Sequence, residues 1–320
     1  MKDDDSSGAA QTTTGDTRLT AADFHPEVLR LFDAYVHGSI DRRGFLDRAA
    51  KFAALGTTAA VLLDTLNPKF AHAQQVPKSD PRLQIESIEV DSPQGYGKAR
   101  VYAVRPAKPE GKLGTVLVVH ENRGLNPHIE DVARRFALEG FNAYAPDALF
   151  PLGGYPGDED KARELFSKLD QTRTREDFLA VARFLKKEPK GNGKLGAVGF
   201  CYGGGIAHFL STRLPDLDAA VPFYGSSPEP ALSAQVKAPL LVHLAENDER
   251  INAAWPAYEA ALQAAKVKFE MFEYPGTQHG FHNDTTPRYD EAAAKLAWRR
   301  TLDLFKRTLR AAPAPAKAKG

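Results

Sequence analysis

From about residue 83 to residue 309, short apolar runs and amphipathic stretches take turns along the chain. Eight runs read as strands: Ile85–Val90, Arg100–Val104, Thr115–His120, Phe141–Ala145, Lys194–Gly199, Ala219–Tyr224, Pro239–Leu244 and Lys268–Tyr274. The third and seventh contain Val116-Leu117-Val118-Val119 and Leu240-Leu241-Val242, apolar without alternation, as expected of strands covered on both faces. Helical spacing of apolar residues predicts helices over Ile129–Glu139, Asp158–Leu169, Arg175–Lys187, Gly204–Arg213, Ala253–Ala265 and Tyr289–Thr308. Alternation of this kind predicts an α/β domain, a mostly parallel twisted sheet of about eight strands with helices on both faces. The first two strands are separated only by Ser92–Lys98, too short for a parallel crossover, so they should form an antiparallel hairpin at one edge. Sites in open α/β sheets form at the carboxyl ends of the strands. The loops after His120, Ala145, Gly199, Tyr224, Leu244 and Tyr274 are therefore the places to look for chemistry.

The N-terminal part has a different pattern. Residues 1–22 are polar, and an amphipathic helix is predicted over Pro26–His37. Asp41-Arg42-Arg43-Gly44-Phe45-Leu46 follows, then an apolar stretch from Phe52 to Leu63, then Ala71-His72-Ala73 before Gln74. Twin arginines, a modest apolar region and an A-x-A site in that order resemble a twin-arginine export signal, cleaved after Ala73 or retained as an anchor. The competing reading is an ordinary helical arm with Arg42 and Arg43 as solvated charges. The expected organisation is a leader at 1–73, a linker at 74–84, a hydrolase-type domain at 85–310 and a flexible tail at 311–320. The expected location is periplasmic or secreted, with the twin-arginine export machinery as a partner; the alternative is cytoplasmic.

Composition narrows the function. The 320 residues carry a net charge of +1, which gives no nucleic-acid footprint and no polybasic membrane patch. A single cysteine excludes an intramolecular disulfide, and no Cys/His cluster has zinc spacing. No apolar run approaches the roughly 20 residues of a membrane span. The expectation is a monomer or small homo-oligomer acting on a small molecule, with no metal or organic cofactor.

That one cysteine lies in Gly199-Phe200-Cys201-Tyr202-Gly203, between a predicted strand and a predicted helix. Strand, Gly-x-nucleophile-x-Gly, helix is a nucleophile elbow, here with a thiol where serine is usual. A helix N-terminus favours a thiolate, and the Tyr202 amide is placed to bind an oxyanion. The bland alternative is an inert core cysteine. Downstream, Ala245-Glu246-Asn247-Asp248-Glu249 ends one strand and Tyr274-Pro275-Gly276-Thr277-Gln278-His279-Gly280-Phe281-His282 ends the last. Nucleophile, acid, histidine is the chain order of the α/β-hydrolase fold. The candidate triad is Cys201, His279 as base and acid, and Asp248 orienting the imidazole. Glu246, Glu249 and His282 compete for these places, while His208 and His243 read as packed core histidines. The loop Glu121-Asn122-Arg123-Gly124-Leu125 should supply a second oxyanion N–H from Asn122. Glu121 is costly at a buried sheet end without a partner, so it either tunes Cys201, through the thiol or Arg123, or forms a surface pair with Arg123. Tyr155, Tyr202 and Tyr224 are candidates to line the pocket.

Several of these pieces together resemble the dienelactone hydrolase family, the carboxymethylenebutenolidase-like α/β-hydrolases. They are His120-Glu121-Asn122-Arg123-Gly124-Leu125, Ala145-Pro146-Asp147, Gly196 to Gly205, Asn247-Asp248 and His279-Gly280-Phe281, with Tyr289, Ala297-Trp298, Thr301-Leu302 and Phe305 beyond. The resemblance implies a Cys-His-Asp triad hydrolysing a lactone or ester, and a glutamate at Glu121 that engages the cysteine. It also implies arginines gripping a substrate carboxylate, one of them shortly after the catalytic histidine. Phe281-His282-Asn283-Asp284 has none, and only Lys161 or Arg163 suggests another, so the hydrolase class carries over better than the substrate. The alternatives are an acyltransferase or peptidase on the same scaffold, and a non-catalytic binding or thiol redox-sensing protein, which would need neither His279 nor Asp248.

Overall fold

Eight strands form one sheet in the order β1-β2-β4-β3-β5-β6-β7-β8 in a computed structural model that describes residues 18–53, 57–69 and 74–310. The strands are β1 Leu83–Ser92, β2 Gly97–Pro106, β3 Leu113–Val119, β4 Asn142–Pro146, β5 Gly191–Phe200, β6 Ala219–Phe223, β7 Leu240–Asn247 and β8 Phe269–Gln278. β1 and β2 make the predicted antiparallel hairpin, with Val90 opposite Ala99. β2 is also antiparallel to β4, and every pairing from β4 to β8 is parallel. The burial follows the apolar pattern: β3 is buried from Gly114 on, while edge strand β1 is largely open to solvent.

Because strand side chains alternate faces, β3 feeds two cores. Leu117 and Val119 join the layer with Phe178, Leu210 and Leu262, which lie on α6 Gln171–Leu185, α7 Tyr202–Arg213 and α9 Trp255–Ala264. Val116 and Val118 join the layer with Phe136 and Phe305, on α4 Pro127–Leu138 and α10 Glu291–Leu309. Asn126 caps α4 by accepting from the Ile129 amide at 3.1 Å, and Asp158 caps α5 Glu159–Ser167 by accepting from Lys161 at 2.8 Å. The helix predicted over Ala253–Ala265 starts earlier and is broken, α8 Glu249–Asn252 preceding α9. Among the described residues no helix is long and apolar enough to cross a membrane.

The N-terminal region, expected as a leader, is helical where the structure describes it. Its described part forms α1 Pro26–Val36, α2 Arg42–Ala49 and α3 Ala59–Leu66, joined by an apolar cluster of their own that includes Val28, Phe32, Phe45, Leu63 and Leu66. These helices dock on the α/β body. The Tyr35 hydroxyl donates to Asp160 at 2.6 Å, Arg163 donates to the Tyr35 carbonyl at 2.8 Å, and Asn122 donates to the Val36 carbonyl at 2.8 Å. Arg42, the first twin arginine, starts α2 and pairs with Asp160 at 2.6 Å, whereas Arg43 stays exposed. The Ala71-His72-Ala73 site and the 311–320 tail lie outside the described residues.

Candidate active site

β5 runs into α7 through a turn whose central residue, Cys201, has φ 55° and ψ −114°. A non-glycine residue in that region is strained by roughly 1–3 kcal/mol, and the surroundings hold it there. The Cys201 amide donates to Phe223 of β6 at 3.0 Å, and the Gly204 and Gly205 amides donate to the Cys201 carbonyl at 3.0 and 3.2 Å. The flanking glycines are required by backbone contact. A Cβ on Gly199 would lie 1.9 Å from the Gly203 carbonyl oxygen, and one on Gly203 would lie 2.3 Å from that of Val119. Tyr202 opens α7, so its amide is among the first-turn N–H groups that no intrahelical carbonyl satisfies.

The ends of β7 and β8 bring Asp248 and His279 to this turn. Asp248 accepts from His279 Nδ1 at 2.5 Å, both side chains being nearly buried. Glu246 instead accepts from the Gly276 amide at 2.7 Å, and Glu249 is exposed at the start of α8. His282 faces away, stacked on Phe200 at 5.0 Å, and burial holds its imidazole down at about 3. His208 packs on Tyr258, and His243 bonds Thr301 at 3.1 Å and Tyr274 at 2.9 Å; both are core residues as expected.

Sequence reasoning missed the other neighbour of the thiol. His37, at the end of α1, places Nε2 3.3 Å from Cys201 Sγ and meets His279 edge to face at 4.7 Å. Its Nδ1–H donates to the Asp33 carbonyl at 2.8 Å and lies 3.2 Å from the Asp33 carboxylate. A nitrogen of each imidazole and Sγ lie within 4.8 Å of one another, the one set among the described residues spaced to hold a metal ion. An ion there would compete with Arg250, whose guanidinium lies 3.0 Å from His37 Nε2. The local signal was Asp33-x-x-x-His37, i and i+4 on one helix face.

The electrostatics favour a thiolate. Burial alone would raise the Cys201 pKa, but the opposing charges of His279 and then His37 bring it down to about 5. Burial works against charge on both imidazoles. Asp248 and Cys201 nonetheless lift His279 to about 10, and Cys201 and Asp33 raise His37 above its ordinary value.

Glu121 does not make the expected contact. Its carboxylate is buried and accepts from Asn283 at 3.0 Å, while Arg123 turns to Glu159 at 2.6 Å. Neither the thiol contact nor the Glu121–Arg123 pair forms, because each partner has a better-placed one. Asn122, Tyr202 and Tyr224 line a cavity of about 600 Å³ in front of Cys201, whereas Tyr155 bonds Glu159 at 2.7 Å outside it. Arg163, Arg175 and Arg250 also line it, so cationic groups reach the cavity from α5, α6 and α8 despite the absence of an arginine just after His279.

A family model described as "Dienelactone hydrolase family" matches residues 99–309. The chain belongs to the dienelactone hydrolase family. Over 237 residues it is 31% identical to a "Putative carboxymethylenebutenolidase" of Saccharolobus solfataricus, covering 63% of this chain and 92% of that one. It is 55% identical over 115 residues to the "Putative hydrolase fragment YghX" of Escherichia coli (strain K12), covering 36% of this chain and 98% of the fragment. Among solved structures, a "Putative Dienelactone Hydrolase" from Klebsiella pneumoniae superposes with a TM-score of 0.61 at 31% identity, covering 70% of this chain and 99% of that one. A separate model described as "YqhI-like" matches residues 16–51, the stretch that carries Asp33 and His37. This dienelactone hydrolase family member therefore places its hydrolase-family match and its N-terminal match against the same thiol.

Proposed function

We propose that the protein hydrolyses an ester or lactone through a thioacyl intermediate on Cys201. The observation that carries this reading is the thiol on a strained strand-to-helix turn, facing the His279–Asp248 pair and a cavity large enough for a small substrate. In the proposed mechanism, Sγ attacks the carbonyl carbon, and the tetrahedral oxyanion is received by the Tyr202 and Asn122 amides. His279 passes its proton to the departing alkoxide oxygen as the C–O bond breaks, leaving an acyl-thioester. Water then attacks the thioester carbon; His279 takes its proton, and Sγ leaves as the thiolate. Asp248 holds the imidazole tautomer through Nδ1 and stays ionised.

The arginines in the cavity support a substrate with an anionic group away from the reacting carbonyl. Among the described residues no carboxylate pairs with Arg175, which lies over the Phe209 ring at 5.8 Å. The test is hydrolysis of p-nitrophenyl acetate and of dienelactone by the full chain beside Cys201→Ala. Turnover of either that disappears in the variant is expected, with dienelactone preferred and that preference reduced in Arg175→Ala. Turnover that survives Cys201→Ala would sink the proposal. A folded protein with a reactive thiol and no turnover of either compound would point instead to a thiol sensor.

A further inference from the structure

The nucleophile of this family member meets two imidazoles, each backed by an aspartate. His279 comes from the loop after β8 with Asp248 behind it, and His37 comes from α1 with Asp33 behind it. We infer that the N-terminal helices are part of the active site, and that His37, oriented by Asp33, shares with His279 the work of holding Cys201 as a thiolate.

The geometry is built rather than incidental. Asp33 and His37 are one helical turn apart, so a single face of α1 presents both. The Asp33 carbonyl accepts the Nδ1–H, which turns the Nε2 lone pair toward Sγ. Asp33 is in turn fixed by Arg250 at 3.6 Å and Arg288 at 3.7 Å. Arg288 also lies over the Phe32 ring of α1 at 5.0 Å. The turn that follows α1 is pinned by Asn122, the same residue whose backbone is proposed for the oxyanion site. Together, the body reaches out from α8, from the loop after β3 and from the segment after His279 to hold this one end of α1.

The step itself is simple. The S–H bond of Cys201 breaks and an N–H bond forms at Nε2 of either imidazole, with no change of oxidation state. A second acceptor backed by a carboxylate keeps the resting thiolate, before attack and after deacylation, beside an imidazole that can hold its proton. The charged and titratable groups facing this pair are Asp33 from α1, Arg250 from α8, His279 with Asp248 behind it, Arg288 beside Asp33, and Tyr224 with Glu121 near its hydroxyl. The arm also adds the wall formed by Val36, His37 and Gly38 to the cavity.

The inference rests on Cys201 being the nucleophile proposed above, but its test does not need ester turnover. Iodoacetamide alkylation of Cys201 is followed against pH in the full chain, in His37→Gln, in Asp33→Asn and in His279→Gln, with thermal melts confirming that each is folded. The wild-type midpoint is expected near 5. In His37→Gln it should rise by at least about one pH unit, the effect of losing one opposite charge at this range, giving roughly tenfold slower alkylation below the wild-type midpoint. Asp33→Asn should move it the same way by less, and this variant carries the test if His37→Gln does not fold. A His37→Gln profile with the wild-type midpoint would overturn the inference. So would a change only in plateau rate, which would make the arm a cover. Absence of ester turnover in the wild-type chain, with the midpoint shift present in His37→Gln, would refute the hydrolase reading alone. The N-terminus of the protein recovered from cells gives a second arm: a working enzyme starting near Gln74 would lack His37 and overturn the inference, whereas the twin-arginine reading expects that cut.

Discussion

At the scale of single residues, the elbow trades stability for a thiol held at the head of a helix. Cys201 holds φ 55° because the backbone of β6 and the first turn of α7 fix it on both sides. The neighbouring glycines pay no steric penalty only because they have no Cβ. Gly203→Ala would drive a methyl to 2.3 Å from the Val119 carbonyl and 2.7 Å from that of His120, contacts with backbone that cannot swing away. We expect this variant to lose about 3 kcal/mol or more in urea unfolding, or to be recovered unfolded. A loss below about 1 kcal/mol would mean the turn can relax, and that the strain is not imposed by the packing. Asp248→Asn tests the other end of the site. It keeps the shape but offers Nδ1 an amide in place of a carboxylate, so kcat should fall by about 10³–10⁴ with little change in melting temperature. A drop of less than tenfold would show that His37 and Asp33 can replace this pair.

At the scale of elements, the attachment of the arm concentrates on few bonds. Asp160 accepts from the Tyr35 hydroxyl and from Arg42, both at 2.6 Å, and lies 3.8 Å from Arg163. Asp160→Ala should therefore release α1 and α2 without touching the sheet. Limited trypsin digestion is expected to cut at Arg42 or Arg43 several-fold faster than in the wild type, while the 83–310 body stays intact. An unchanged cleavage rate would show that Arg288 over the Phe32 ring and Arg163 over the Tyr35 ring suffice to hold the arm. The arm is also where the sequence was hardest to read. The strands of the body announce themselves through runs such as Val116-Leu117-Val118-Val119, because a strand covered on both faces must be apolar on both. Cys201, Asp248 and His279 were legible because each ends a strand, in a fixed chain order. The amphipathic face of α1 was visible too, but what it packs against is not encoded nearby: Asp160, Arg163 and Asn122 come from loops and helices more than 80 residues away. A short apolar stretch after two arginines reads as a leader, and no local pattern announces that Arg42 has a carboxylate partner in the body. Glu121 shows the converse. Its burial was foreseeable, but its choice of Asn283 over Cys201 depends on how the segment after His279 folds back, which no local pattern records.

At the scale of the whole molecule, that segment after His279 is where distant parts of the chain meet, and it predicts how the protein responds to acid. Asp284 accepts from Gln75 of the linker at 2.6 Å, pairs with Arg135 of α4 at 2.6 Å and faces His128 at 3.1 Å. Its backbone carbonyl accepts from Arg18, and the next carbonyl, that of Thr285, accepts from the Lys69 amide at 2.8 Å. Burial alone would push this carboxyl up, but His128 and Arg135 outweigh it and hold it well below the ordinary carboxylate range. A carboxyl depressed in the folded state binds protons less readily there than in the unfolded chain. Its contribution is thus complete above the unfolded pKa, about 3.9, and is lost as pH falls through the lower folded value. Asp284→Asn should lower stability by about 3 kcal/mol at neutral pH, since it leaves Arg135 and His128 facing an amide. The difference from wild type should shrink steadily below about pH 4, as the unfolded wild-type chain takes up a proton that the folded carboxylate still refuses. Urea melts of both proteins across that range decide the matter. A difference that stays constant with pH would mean that Asp284 acts through shape and hydrogen bonding alone, and that the charge at this meeting point does not tie the N-terminal region to the loop that carries His279.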